Sequence, residues 1–170
     1  MDIKILNKVL SQSENISNIL DEQDWEKAEN ELGIELPLDY KEFVNHYGVG
    51  GIDDFLWIYT PYSNNENFDL LKQIEVINNA YLDMKKEYPE DFTFDVFPKV
   101  GGLLPFGGTE NGDVLYWLTG GDNKHWSIVV YDDRHSEYFE YNKSTTDFLY
   151  ELLTKKLVCP IFPQKFPSSI

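Results

Sequence analysis

The chain is poor in the residues that staple folds, span membranes or hold metals. Its 170 residues include one cysteine, Cys159, which excludes an internal disulfide and fits a reducing compartment. No apolar run reaches the roughly 18 residues that a membrane span needs. The opening stretch MDIKILNKVLSQSEN mixes Asp2, Lys4, Asn7 and Lys8 into its apolar positions, unlike a secretion signal, so a cytoplasmic protein is expected. The histidines His46, His125 and His135 show no metal-ligand spacing and there is no CxxC pair, so neither metal nor cofactor is expected. GxSxG is absent, which excludes an esterase elbow, and the glycine pairs match no phosphate-binding loop. Gly50-Gly51, Gly101-Gly102, Gly107-Gly108 and Gly120-Gly121 are read instead as turns that need positive φ.

Positive charge is scarce as well. Arg134 is the only arginine, and 14 Lys and Arg face 30 Asp and Glu, a formal charge of −16. Such a surface repels phosphate backbones and anionic headgroups, so nucleic acid and membrane are not expected partners. It steers a basic protein toward itself. The excess lies in the first hundred residues, and common Asn, Ile and Lys with one Arg is a usage expected from an AT-rich bacterial genome.

What is present is a core. Hydrophobic residues make up 42 % and aromatics 15 %, too much for disorder, and residues 1–170 read as one domain. Residues 1–22 suggest an N-terminal helix or arm. Asp24 is a candidate N-cap for a helix from Trp25 to Leu32 that ends at Gly33. Pro37 opens a second helix whose stripe Tyr40, Phe43, Val44 and Tyr47 ends at Gly48. Ile52–Thr60 reads as a strand, and Phe68–Tyr88 as a long amphipathic helix with Leu70, Leu71, Ile74, Ile77, Tyr81 and Met84 on one face.

The period then changes to two. Leu103–Phe106, Asp113–Leu118, Trp126–Tyr131 and Glu137–Tyr141 read as strands, with a turn at Gly107–Gly112 containing Asn111-Gly112. Thr145–Leu157 is a closing helix, and 158–170 an extended Pro-containing tail. This order predicts an α+β domain: a mostly antiparallel meander packed against N-terminal, middle and C-terminal helices.

Carboxylate pairs are the remaining route to chemistry. Asp53/Asp54, Asp132/Asp133 and Glu110 with Asp113 lack EF-hand spacing, and neighbours on a strand point to opposite faces. An enzyme would need a deep pocket of convergent acids with perturbed pKa values. The residues favour no catalytic site and give no signal for self-association.

Two segments carry a resemblance. Trp25–Gly48 (WEKAENELGIELPLDYKEFVNHYG) and Leu104–Asp113 (LPFGGTENGD) resemble, in this order, the opening and the Pro-Phe-Gly…Asn-Gly-Asp hairpin of the SUKH superfamily, the Smi/Knr-type domains. The resemblance implies an α+β fold and no catalytic residues. It also implies an immunity protein that neutralises a toxin, often a nuclease, by binding it, or else a regulatory module working through protein contacts. The motif residues Trp25, Gly33, Pro37, Phe43, Gly48, Pro105, Asn111 and Gly112 are expected to serve the fold. Partner binding is expected at acidic residues near turns, Asp53, Asp54, Glu110, Asp113 and Asp122, all read as exposed. Reversing Asp53 and Asp54 to Lys is expected to leave stability nearly intact.

Overall fold

The computed structural model describes residues 3–11, 19–132 and 134–168. Among these residues, four α-helices are each stopped or started by a residue suited to the task. Helix α1 (Glu22–Leu32) is capped by Asp21, three residues before the expected Asp24. The reason is reciprocity: the Asp24 amide donates to Asp21 Oδ1 (2.9 Å) and the Asp21 amide to Asp24 Oδ2 (3.1 Å), a capping box. Gly33, at φ 71°, closes α1 in a left-handed conformation. Helix α2 (Leu38–Tyr47) starts after Pro37, α3 (Leu70–Glu87) is capped by Asp69, and α4 (Thr145–Leu153) by Ser144.

The six strands are β1 (Gly51–Ile52), β2 (Leu56–Ile58), β3 (Leu103–Thr109), β4 (Val114–Leu118), β5 (Ser127–Asp132) and β6 (Glu137–Tyr141). They pair antiparallel in chain order, the expected meander. Two details differ from the sequence reading. Ile52–Thr60 is a hairpin rather than one strand: the Phe55 amide donates to Ile52 O (3.1 Å), and Asp53 and Asp54 take φ of 58° and 48°. Aspartate tolerates that region better than most residues. Gly107 and Gly108 lie inside β3, with no positive φ, and the turn shrinks accordingly. Close approach is the reason for glycine here, since a Cβ on Gly107 would sit 2.8 Å from the Trp57 carbonyl oxygen of β2. Pro105 is accommodated where the β3–β4 register shifts, between Pro105 and Gly107.

Alternation divides the sheet between two cores. Leu104, Phe106, Leu115, Trp117, Ile128 and Val130 belong to the larger one, with Trp25, Tyr40, Phe43, Phe148 and Leu149 of α1, α2 and α4. Leu103, Val114, Tyr116, Val129 and Tyr131 belong to the smaller one, with Tyr81 of α3 and with Phe92 and Val96. An aromatic ladder crosses the larger core: Trp25 on Tyr40 (5.8 Å), Tyr40 on Trp117 (4.8 Å), Trp117 stacked on Phe106 (4.4 Å). The Trp117 indole donates to Thr145 Oγ1 (3.1 Å), fastening α4 to the sheet.

A 3-10 helix spans Ile3–Lys8 with Leu6 buried; residues 12–18 of the expected N-terminal helix lie outside the described residues. The tail, expected to be extended, makes turns and packs back onto the domain. Phe162 and Phe166 flank Phe55 at 5.4 and 4.8 Å, and Cys159 is buried. Apolar side chains that can reach the domain explain the difference, because burying them outweighs staying extended in water.

Candidate partner-binding surface

The meander places the β1–β2, β3–β4 and β5–β6 turns at one end of the sheet. The Glu110 amide donates to Phe55 O (2.9 Å), which joins the first two turns directly. Asp53, Asp54 and Glu110 are therefore neighbours, and all three are exposed. Asp53 is not idle: its carboxylate accepts from the Ser168 amide (2.7 Å) and from the Ser168 hydroxyl, and these bonds hold its pKa below the usual range. Asp122 sits elsewhere. It accepts from the Lys124 amide in the β4–β5 turn at the opposite end, where Asn123 Nδ2 donates to Glu35 O (3.0 Å).

Asp113 corrects the sequence reading. Its side chain is fully buried. Oδ2 accepts from Thr109 Oγ1 (2.7 Å) and Oδ1 from Arg134 Nη2 (3.1 Å), so both oxygens are engaged. Burial pushes its pKa up, against the pull of Thr109 and Arg134. Arg134 also forks onto Asp132, through Nε to Oδ1 (3.1 Å) and Nη2 to Oδ2 (3.3 Å), while His135 Nδ1 lies 2.9 Å from Oδ2. Burial alone would raise the Asp132 pKa as well, but bonds from His135 and Arg134 outweigh it and hold it at about 2. One arginine thus ties the β3–β4 and β5–β6 turns together. A planar fork can hold one carboxylate with two donors while reaching a second, a geometry the point charge of lysine does not offer, which suits the single arginine of a lysine-using chain to this place. That oddity in the sequence was the available signal. Asp133 lies outside the described residues.

Beside this end a cleft of about 480 Å³ opens between α3 and strands β2–β4. Trp57 and Phe68, stacked at 5.8 Å, line one side and Val76, Ala80 and Met84 of α3 another. Tyr59, Tyr116 and Gly108 also contribute, with Glu110 and Asp113 as its only charged lining residues. A Cβ on Gly108 would come within 2.3 Å of the Tyr59 hydroxyl, so glycine lets that hydroxyl lie against β3. The sequence reading placed Met84 on the buried stripe and passed over Val76; they are 36 % and 60 % exposed, and both border the cleft. Among the described residues no group of three or more His, Cys, Asp or Glu is placed to hold a metal ion. No helix among them is long and apolar enough to cross a membrane.

The family described as SMI1-KNR4 cell-wall, of the SUKH group, matches residues 22–149, from the first residue of α1 into α4. The chain belongs to the SUKH family. No curated protein and no solved structure matches it.

The SUKH motif residues hold the fold together. Trp25, Phe43 and Pro105 are buried, Gly33 and Gly48 end helices, and Asn111-Gly112 turns β3 into β4 with Gly112 at φ 87°. None of them except Gly112 lines the cleft. The first motif segment, Trp25–Gly48, is therefore separate from this surface, whereas the hairpin segment Leu104–Asp113 lends it Gly108, Thr109, Glu110, Gly112 and Asp113.

Proposed function

We propose that this SUKH protein is an immunity protein that binds and neutralises a cognate toxin with a basic surface. The observation that carries the reading is the turn end of the sheet, where Asp53, Asp54 and Glu110 are exposed side by side on a chain of charge −16. A nuclease fits as the toxin, because a site that holds phosphate is basic and an acidic face complements it. On this reading the protein acts in the cytoplasm by binding, not turnover, and uses no metal or cofactor. Asp113, the one cleft acid with a raised pKa, has both oxygens engaged and so serves structure.

Co-expression with the neighbouring gene product, followed by co-purification and surface plasmon resonance across a salt series, tests the reading. Long-range attraction is screened over about 8 Å at physiological salt, so association should slow steeply as salt rises while dissociation changes less. A salt-independent association rate overturns the acidic mode. The cell-wall description of the family favours a second reading, a non-catalytic regulatory module. Failure to bind the toxin or to protect against it would favour that one.

A further inference from the structure

Deepening the binding reading above, on which it rests, we propose that the cleft beside α3 receives a Lys or Arg side chain of the partner protein, with an aliphatic side chain seated next to it. Three observations converge. Glu110 lines the cleft, is exposed, and makes no ion pair or side-chain hydrogen bond among the described residues, and no Lys, Arg or His lines the cleft with it. Tyr59 is only 7 % exposed, yet its hydroxyl has no hydrogen-bond partner among the described residues. The hydroxyl oxygen itself is still reached by solvent, so a ligand N–H can take the place of water as its donor. Burial raises this phenol to about 12, so it stays neutral and can accept.

The apolar lining supplies the rest. The Trp57–Phe68 pair offers aromatic surface to the stem and charge of a long cationic side chain. Val76, Ala80 and Met84, four residues apart on α3, leave an uncovered stripe that suits an aliphatic neighbour. The volume lies within the roughly 300–1,000 Å³ of ordinary ligand clefts. An anionic segment would meet Glu110 with no cation in the lining to offset it.

The test titrates the full chain with acetyl-leucyl-arginine amide, watching the Trp57 indole and the Ala80 and Glu110 amides by NMR, with acetyl-leucyl-glutamate amide as control. The arginine probe should move these signals and lose hold as salt rises; the glutamate probe should not. Glu110→Gln should weaken the arginine probe by about fivefold, the scale of one charge-assisted contact near a surface. Ala80→Arg, at an exposed helical position, should keep the unfolding midpoint and abolish the shifts. Equal binding of both probes, or shifts confined to residues outside the cleft, overturns the proposal. The same variants separate it from the immunity reading. If Ala80→Arg and Glu110→Gln hold the toxin as tightly as the parent, the cleft proposal falls and immunity stands. If the arginine probe seats in the cleft while the parent ignores the toxin, immunity falls and the cation site stands.

Discussion

The two faces of the sheet are built by the same strands and end up with different duties. On the larger face, α1, α2 and α4 close over Trp117, Phe106 and Leu115, and aromatic rings run unbroken from Trp25 to the sheet. On the smaller face one helix, α3, and the segment carrying Phe92 and Val96 do the covering, and the cleft remains where they stop. A sealed face converts apolar area into stability. An incompletely covered face keeps apolar area available for a partner. The difference teaches where to look for function in a domain whose first motif segment lies in the sealed core and whose hairpin segment borders the cleft.

The comparison breaks first if the sealed face is not where stability resides. Trp117→Ala should cost about 3–5 kcal/mol, the usual loss for a large buried aromatic, read as a lower midpoint in chemical denaturation. Trp25→Ala should fall in the same range, and an unchanged midpoint for both would refute the assignment of the core.

Next comes the arginine tie at the sheet end. Arg134→Ala should lower the unfolding midpoint, by less than Trp117→Ala because Arg134 is half exposed, while leaving Asp113 without its cation. Acid sharpens the same point. Asp132 is held at about 2 against an ordinary 3.8, so its contribution is complete above the ordinary value and is lost as pH falls through about 2. Asp113, raised, works in the opposite sense: its penalty at neutral pH is relieved as it protonates. Asp132→Asn should therefore flatten the loss of stability between about pH 4 and 2 seen for the parent in a pH series of unfolding midpoints.

The β1–β2 turn gives a smaller effect and revises an expectation. Because Asp53 and Asp54 sit at positive φ, Asp54→Lys should cost about 1 kcal/mol, whereas Asp54→Asn should be nearly neutral while removing the charge. Thermal unfolding of the two variants separates backbone strain from charge. The smallest effect belongs to the open face. Val76→Ala should change stability by no more than about 0.5 kcal/mol and, on the immunity reading proposed above, weaken binding of the toxin, measured by calorimetry and resonance respectively. A destabilisation like that of Trp117→Ala would mean that α3 is sealed after all.

Much of the architecture was legible in local patterns, because capping, helix stops and strand period depend on residues near in sequence. Gly33 and Gly48 follow amphipathic runs, and Asn111-Gly112 sits between strands. These determined the helices, the meander and the family. Tertiary structure decided the rest. Gly107 and Gly108 read as a turn until the strand beside them shows that only glycine permits the approach. Asp113 read as exposed because its hydrophilicity is local, while the arginine that lets it be buried comes from 21 residues away. Asp53, Asp54 and Glu110 became neighbours only when the meander folded, and Asp122 was sent to the other end. Periodicity tells which residues share a face. Only packing tells which part of that face is left uncovered, and the cleft beside α3 is such a remainder.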